Sequence, residues 1–221
     1  MKTNDSVGAM VFAFGVPILF LAIIVIPASR AVFLDATAAA PYPMGFVKFA
    51  LLSTVGDVVA AKLSGRGFNF PKAVLPKAIV WGVIGMLIVL YFAIIPAGVA
   101  SAQAGGYLPG SGIYVIQALL SSILLNITFG IAMMASHRVS DTFLDMRADH
   151  VMVDGHKATV KDALKTVNWH GFVDFVVLKT LPFFWIPAHF ITFLLPLGFR
   201  TIWSAMLSIL LGVFLVLGRR K

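Results

Sequence analysis

The sequence predicts an all-α bundle of about six membrane-spanning helices with both termini on the cytoplasmic side. Three observations carry this prediction. Apolar residues make up 60% of the 221-residue chain and charged residues only 12%, where a soluble domain carries roughly 25%. From Ala78 to His137 there is no Asp, Glu, Lys or Arg, enough for two spans of about 20 residues each. The Lys and Arg residues fall almost entirely between alternate spans, as cytoplasmic loops require.

Taken in order, the spans are 7–28, uncharged and containing Pro17; 42–61, carrying Lys48 and Asp57; 78–102 and 113–135, separated by the turn-forming QAGGYLPGSG; 172–195, carrying Asp174 and Lys179; and a short 201–217. Threaded this way, Lys2, four cations between the second and third spans, five between the fourth and fifth and the Arg219-Arg220-Lys221 tail share one side, against Arg30 and Arg200 on the other. The run after Lys2, ending IPASRA, also has the layout of a signal peptide. At 22 residues it exceeds the usual apolar region of about 7–15, so an uncleaved span is expected. The connection 136–169 sets Val139, Phe143 and Met146 on one helical face among charges, as a helix lying at the membrane surface would. Asp154-Gly155 marks a turn, and a second amphipathic stretch follows it. One integral membrane domain spanning 1–221 accommodates everything.

Composition excludes several chemistries. Cysteine is absent, which removes disulfides, thiol nucleophiles and Cys-ligated metals, and all nine acidic residues are Asp, which removes the Glu-dependent zinc-protease helix. No nucleophile elbow, phosphate loop or dinucleotide glycine pattern occurs, so no catalytic residue, cofactor or metal site is expected. His150, Asp154 and His156 have no metal-ligand spacing and read as a solvated loop. A net charge of +8 arranged as flanks of apolar segments speaks for a membrane, with anionic lipid on the basic face, and against nucleic acid.

Ionisable residues inside spans are the informative ones, because each costs about 2.5–3.5 kcal/mol at the bilayer centre and must face protein or water. Asp57, with Ser53 one turn before it and Thr54 beside that, gives the second span a polar stripe. Asp57, Ser53, Asp174, Lys179 and His189 are therefore expected to line a polar path. The alternative is a buried Asp–Lys pair fixing helix register, with Lys48 and Lys179 snorkelling to the surfaces. Asn126, near Ser121, Ser122 and Thr128, reads as interhelical hydrogen bonding. In FFWIPAHFITFLLPLGFR (183–200), Pro187 and Pro196 interrupt an apolar run around His189. Such prolines free backbone groups that only neighbours or trapped water can satisfy. Arg200 is placed to anchor the interface or to cap carbonyls released around Pro196.

The same segment carries a family resemblance. Trp185, His189, Thr192, Phe193, Pro196 and Arg200 follow the order of a motif found in the small membrane proteins that include the mitochondrial inner-membrane protein Mpv-seventeen and the peroxisomal membrane protein of twenty-two kilodaltons. Gly56-Asp57, Gly85 and the Tyr91-Phe92 pair match further family positions, and the resemblance runs from about Tyr42 to Leu217. The chain departs from the pattern at His189 and Thr192, which replace two amides, at Pro187, one residue late, at Met86, which replaces a proline, and at Ser121-Ser122, which replaces an Asp-Gln pair. The resemblance implies an organelle-type or bacterial membrane protein that governs small-solute permeability. The expected function is a small-solute channel, homo-oligomeric in one version, in the inner or plasma membrane of a bacterium, with an organellar membrane as the alternative location. A non-transporting scaffold that holds anionic lipid or a partner protein is the competing expectation.

Overall fold

The computed structural model describes residues 5–218, the side chains of Ser208 and 211–218 excepted. The chain is 81% helical, and among the described residues five helices are long and apolar enough to cross a membrane. The protein is thus an integral membrane helix bundle, as its hydropathy predicts. Lys2 and the Arg219-Arg220-Lys221 tail lie outside the described residues.

The chain's contacts gather in two units, Met1–Met86 with Thr201–Lys221, and Leu87–Arg200. In the first, α1 (Val7–Val25), α2 (Pro27–Ala39) and α3 (Pro41–Leu63) follow one another with almost no loop. Ile26, held extended before Pro27, ends α1, and Pro27 and Pro41 each open the next helix, where a missing N–H costs nothing. Sequence reading left 29–41 as a connection, so α2 is an added element. Ala9 and Ala13 of α1 pack on Val58 of α3, the small residues allowing the close backbone approach that substitutes for a hydrophobic driving force in lipid. Asp5 accepts from Lys62 Nζ (2.8 Å) and from the Phe68 N–H (2.7 Å). The chain entering α1 is thereby stapled to the basic loop after α3, so these two predicted same-side segments do lie together.

Helix α4 (Val74–Ala104) begins in the first unit and ends in the second. Gly85 sits against α3 so closely that a Cβ there would fall on the Gly45 carbonyl and Phe49. The glycine matched by resemblance is thus a helix-crossing glycine.

In the second unit, α5 (Tyr114–Leu125) passes through a π-helical turn, Asn126–Gly130, into α6 (Ile131–Ala148). No glycine or proline interrupts 131–148, so nothing ends the helix, and the stretch expected to lie separately on the surface is instead a continuation of the fourth span. A two-stranded hairpin follows, β1 (Met152–Val153) against β2 (His156–Lys157). It turns at Asp154-Gly155, both with positive φ, the backbone this dipeptide favours. Helix α7 (Val160–Thr166) starts on a Thr159–Asp162 capping box, and α8 (Trp169–Gly171) leads into fourteen π-helical residues, Phe172–Trp185, before α9 (Ile186–Leu194). Pro187 falls in the first turn of α9, and Pro196 separates α9 from α10 (Leu197–Gly218). The sixth predicted span lies within α10.

Candidate functional site

The polar groups of the second unit converge where α5 crosses α9. Ser121 and Ser122 are fully buried on α5, and Asn126 opens the π-helical turn that follows. Ser122 Oγ donates to the Ile186 carbonyl (2.6 Å), tying α5 to the start of α9. Asn126 Nδ2 donates to the Ser122 carbonyl (2.8 Å). A carbonyl can only accept, so this bond turns Asn126 Oδ1 toward His189 Nδ1, 3.2 Å away. Amide oxygen likewise only accepts, so Nδ1 carries a proton.

Aromatic rings hold the imidazole in place. Trp185 stacks on it, with centroids 5.2 Å apart and planes within 19°. Phe92 meets it edge-on and also packs edge-on against Phe193 at 5.3 Å, the arrangements a ring quadrupole favours. Ser121 Oγ, next to Ser122 in the chain, and Nε1 of the stacked Trp185 are buried with no hydrogen-bond partner among the described residues. Such a group costs about 1–3 kcal/mol when left unsatisfied, so the crossing holds polar capacity that the protein itself does not fill.

One end of the cluster is closed by Arg200. Leu195, extended before Pro196, ends α9 and releases the last carbonyls of the helix. Arg200 Nε donates to the Leu195 carbonyl (3.0 Å) and Nη2 to that of Phe193 (2.9 Å), which also accepts from Tyr114 Oη (2.7 Å). Arg200 therefore caps the carbonyls freed around Pro196, and its contact with Tyr114 brings together the two short loops predicted to share the outer side.

No protein-family model, curated protein or solved structure matches the chain. The positions that carry the resemblance to the Mpv-seventeen family fall in both units. Trp185, Phe193, Pro196 and Arg200 build the second-unit cluster together with His189. Thr192 is buried beside them, its hydroxyl spent on the Ala188 carbonyl of its own helix (2.9 Å). Gly56, Asp57 and Gly85 belong to the first unit.

Two expectations meet surroundings the sequence did not specify. Asp174 and Lys179 are expected on a polar path. They pair with each other at 2.8 Å with side chains 53% and 57% exposed, because the π-helical register stacks residue i over i+5. Lys48 does not snorkel. It is fully buried, donates to Thr37 Oγ1 (2.7 Å) and lies 4.3 Å from the Phe33 ring centre, both partners coming from α2. The polar stripe expected around Asp57 lies on α3. Asp57 itself is half-buried. Ser53, one turn earlier, is buried with its hydroxyl unpartnered among the described residues, and Thr54 bonds the Ala50 carbonyl (2.7 Å).

Asn126 and Ser122 read in the sequence as interhelical hydrogen bonding, and the structure gives both such bonds, whereas the sequence offered no reading of Tyr114. A Tyr at the start of a span, opposite a helix-ending Leu-Pro, was the available signal for the last.

Proposed function

We propose that this protein is a multi-pass membrane protein that lets a small polar solute across the bilayer, using the α5–α9 crossing as the polar section of the path. The observation that carries the reading is a pair of buried groups without a partner among the described residues, Ser121 Oγ on α5 and Trp185 Nε1 on the ring stacked against His189. Polar atoms left open at membrane depth are costly unless water or solute visits them. The likeness to the Mpv-seventeen family points the same way. The π-helical backbone on both sides of the crossing adds support, since such turns concentrate at functional sites. No reaction is assigned, and no cofactor enters. The bacterial inner or plasma membrane is the proposed location, with self-association as the proposed quaternary state.

Flux assays on reconstituted vesicles test this. Wild-type protein should pass small polyols or ions across the vesicle wall, and Ser121→Val with Trp185→Phe, which removes the open groups without adding charge, should reduce the flux. Vesicles no leakier than protein-free controls toward any of these solutes would sink the reading.

A further inference from the structure

Outside the crossing, the second unit carries an open groove of about 450 Å³ between α6, α7 and the start of α8, within the roughly 300–1,000 Å³ typical of ligand sites. Val139 and Phe143 form one wall, Val160 and Leu164 the other, and Trp169 closes an end. Leu164 is 45% and Val160 52% exposed although both are apolar. The groove's own hydroxyls are already spent, Ser136 on the Ala132 carbonyl (2.8 Å) and Ser140 on that of His137 (2.9 Å). Its lining therefore offers carbon to an occupant and no hydrogen bonds, which suits an acyl chain and not a polar solute.

Position and charge narrow the occupant further. Trp169 begins the helix Trp169–Leu194, one of the membrane-crossing helices, and an indole there sits at the depth of lipid headgroups. Its Nε1 donates to the Leu164 carbonyl (2.9 Å), fixing the ring against the groove. Lys161 and Lys165 each follow a groove residue by one position and are exposed. The one acid on α7, Asp162, is taken up by the Thr159 capping box. On α6, Asp141 and Asp145 also take part in interactions. The α7 rim is thus cationic directly above apolar walls.

We propose that this groove binds one anionic phospholipid, an acyl chain lying against Phe143 and Leu164 and the headgroup phosphate held by Lys161 and Lys165. The site is distinct from the α5–α9 crossing and stands or falls independently of the solute path. It turns a general attraction of basic residues for an anionic leaflet into a place with walls.

The chain has no native cysteine, so Val160→Cys, on the exposed groove wall, takes a single bimane label. In vesicles doped at equal mole fraction with acyl-brominated phosphatidylglycerol or acyl-brominated phosphatidylcholine, the phosphatidylglycerol should quench the label at the lower concentration. Lys161→Gln and Lys165→Gln should each weaken that preference by about fivefold, and Arg66→Gln, a basic residue of the first unit, should leave it intact. Equal quenching by the two lipids overturns the proposal, as does an Arg66→Gln effect as large as that of either lysine, which would reduce the preference to a diffuse field. A label environment that follows protein density instead of lipid identity assigns the groove to a second copy of the chain, and overturns it equally.

Discussion

Asn126 and His189 stand 63 residues apart in sequence and 3.2 Å apart in space, and their bond places a proton on the imidazole Nδ1 at the α5–α9 crossing. Asn126 achieves this because its own amide nitrogen is anchored one turn back, on the Ser122 carbonyl.

Removing one partner should therefore cost more than removing both. Asn126→Leu leaves the His189 Nδ1–H unpaired inside the bundle, an expected loss of about 1–3 kcal/mol. Combining it with His189→Phe, which keeps a ring between Trp185 and Phe92, should recover most of that loss. Thermal unfolding in detergent of the three variants gives the answer. Costs that simply add would mean that the two side chains act separately.

Arg200 is expected to resist conservative replacement. Its fork reaches two carbonyls from two different nitrogens, and a lysine ammonium, a single point charge, cannot reproduce that geometry. Arg200→Lys should lose about 1.5–3 kcal/mol, the range for hydrogen bonds to a charged group, with Arg200→Ala no better. Tyr114→Phe, which removes one donor to the shared Phe193 carbonyl, should be milder. Unfolding midpoints in one detergent rank the series.

The Arg200 cap was legible because it is local: a proline, an arginine four residues on, and carbonyls that the proline must release. The pairing of Asp174 with Lys179 was hidden for an equally local reason. Five residues along an α-helix turn through about 500°, which sets the two side chains on different faces, and only the π-helical register, invisible in apolar periodicity, lines them up. The long-range contacts were out of reach. Nothing in the pattern of 29–41 distinguishes a loop from the helix α2 that supplies Thr37 and Phe33, so the burial of Lys48 had no sequence signal. Hydropathy alone, by contrast, was enough for the all-α spans.

Sidedness is testable through the cysteine-free background. Gly65, Gly106 and Gly155 all have positive φ, where any side chain is strained, so cysteines belong at exposed neighbours instead. Arg66→Cys and Lys157→Cys should react with an impermeant maleimide from one side of sealed vesicles, and Tyr107→Cys from the other. Labelling of Tyr107→Cys from the side that labels Lys157→Cys would overturn the six-span threading.

A pH test is available outside the spans. The Thr159 hydroxyl (2.6 Å) and backbone N–H (2.9 Å) both donate to Asp162, and these bonds hold its carboxyl below the ordinary range. A carboxyl whose folded value is depressed stabilises the fold above its unfolded value of about 3.9, and that contribution is lost as pH falls through the folded value. The stability gap between wild type and Asp162→Asn should thus be constant above about pH 5 and shrink in more acid solution. A gap independent of pH would mean that the carboxylate charge plays no part in the cap.

Lys48 gives the sharpest test of how this bundle treats charge. The ammonium is fully buried and its described contacts are one hydroxyl and one aromatic face. Thr37 passes the bond on, donating to the Phe33 carbonyl at 2.8 Å. Desolvating a cation costs several kcal/mol, whereas one hydrogen bond to a charged group returns about 1.5–3 and a desolvated ring face about 2. The balance is close to zero, so Lys48→Met, similar in length and apolar, should leave stability within about 1 kcal/mol of wild type or raise it. Thr37→Val should instead strip the ammonium of its only oxygen partner among the described residues and destabilise by more than the roughly 1–3 kcal/mol of a neutral orphan, and adding Lys48→Met to Thr37→Val should restore the loss. Thermal midpoints for the single and double variants decide the structural question, and vesicle flux for Lys48→Met decides the functional one. A stable Lys48→Met protein with unchanged flux makes the lysine a tolerated burial, a stable one with altered flux puts it on the solute path, and a Lys48→Met protein as damaged as Thr37→Val shows that the charge itself holds α2 to α3.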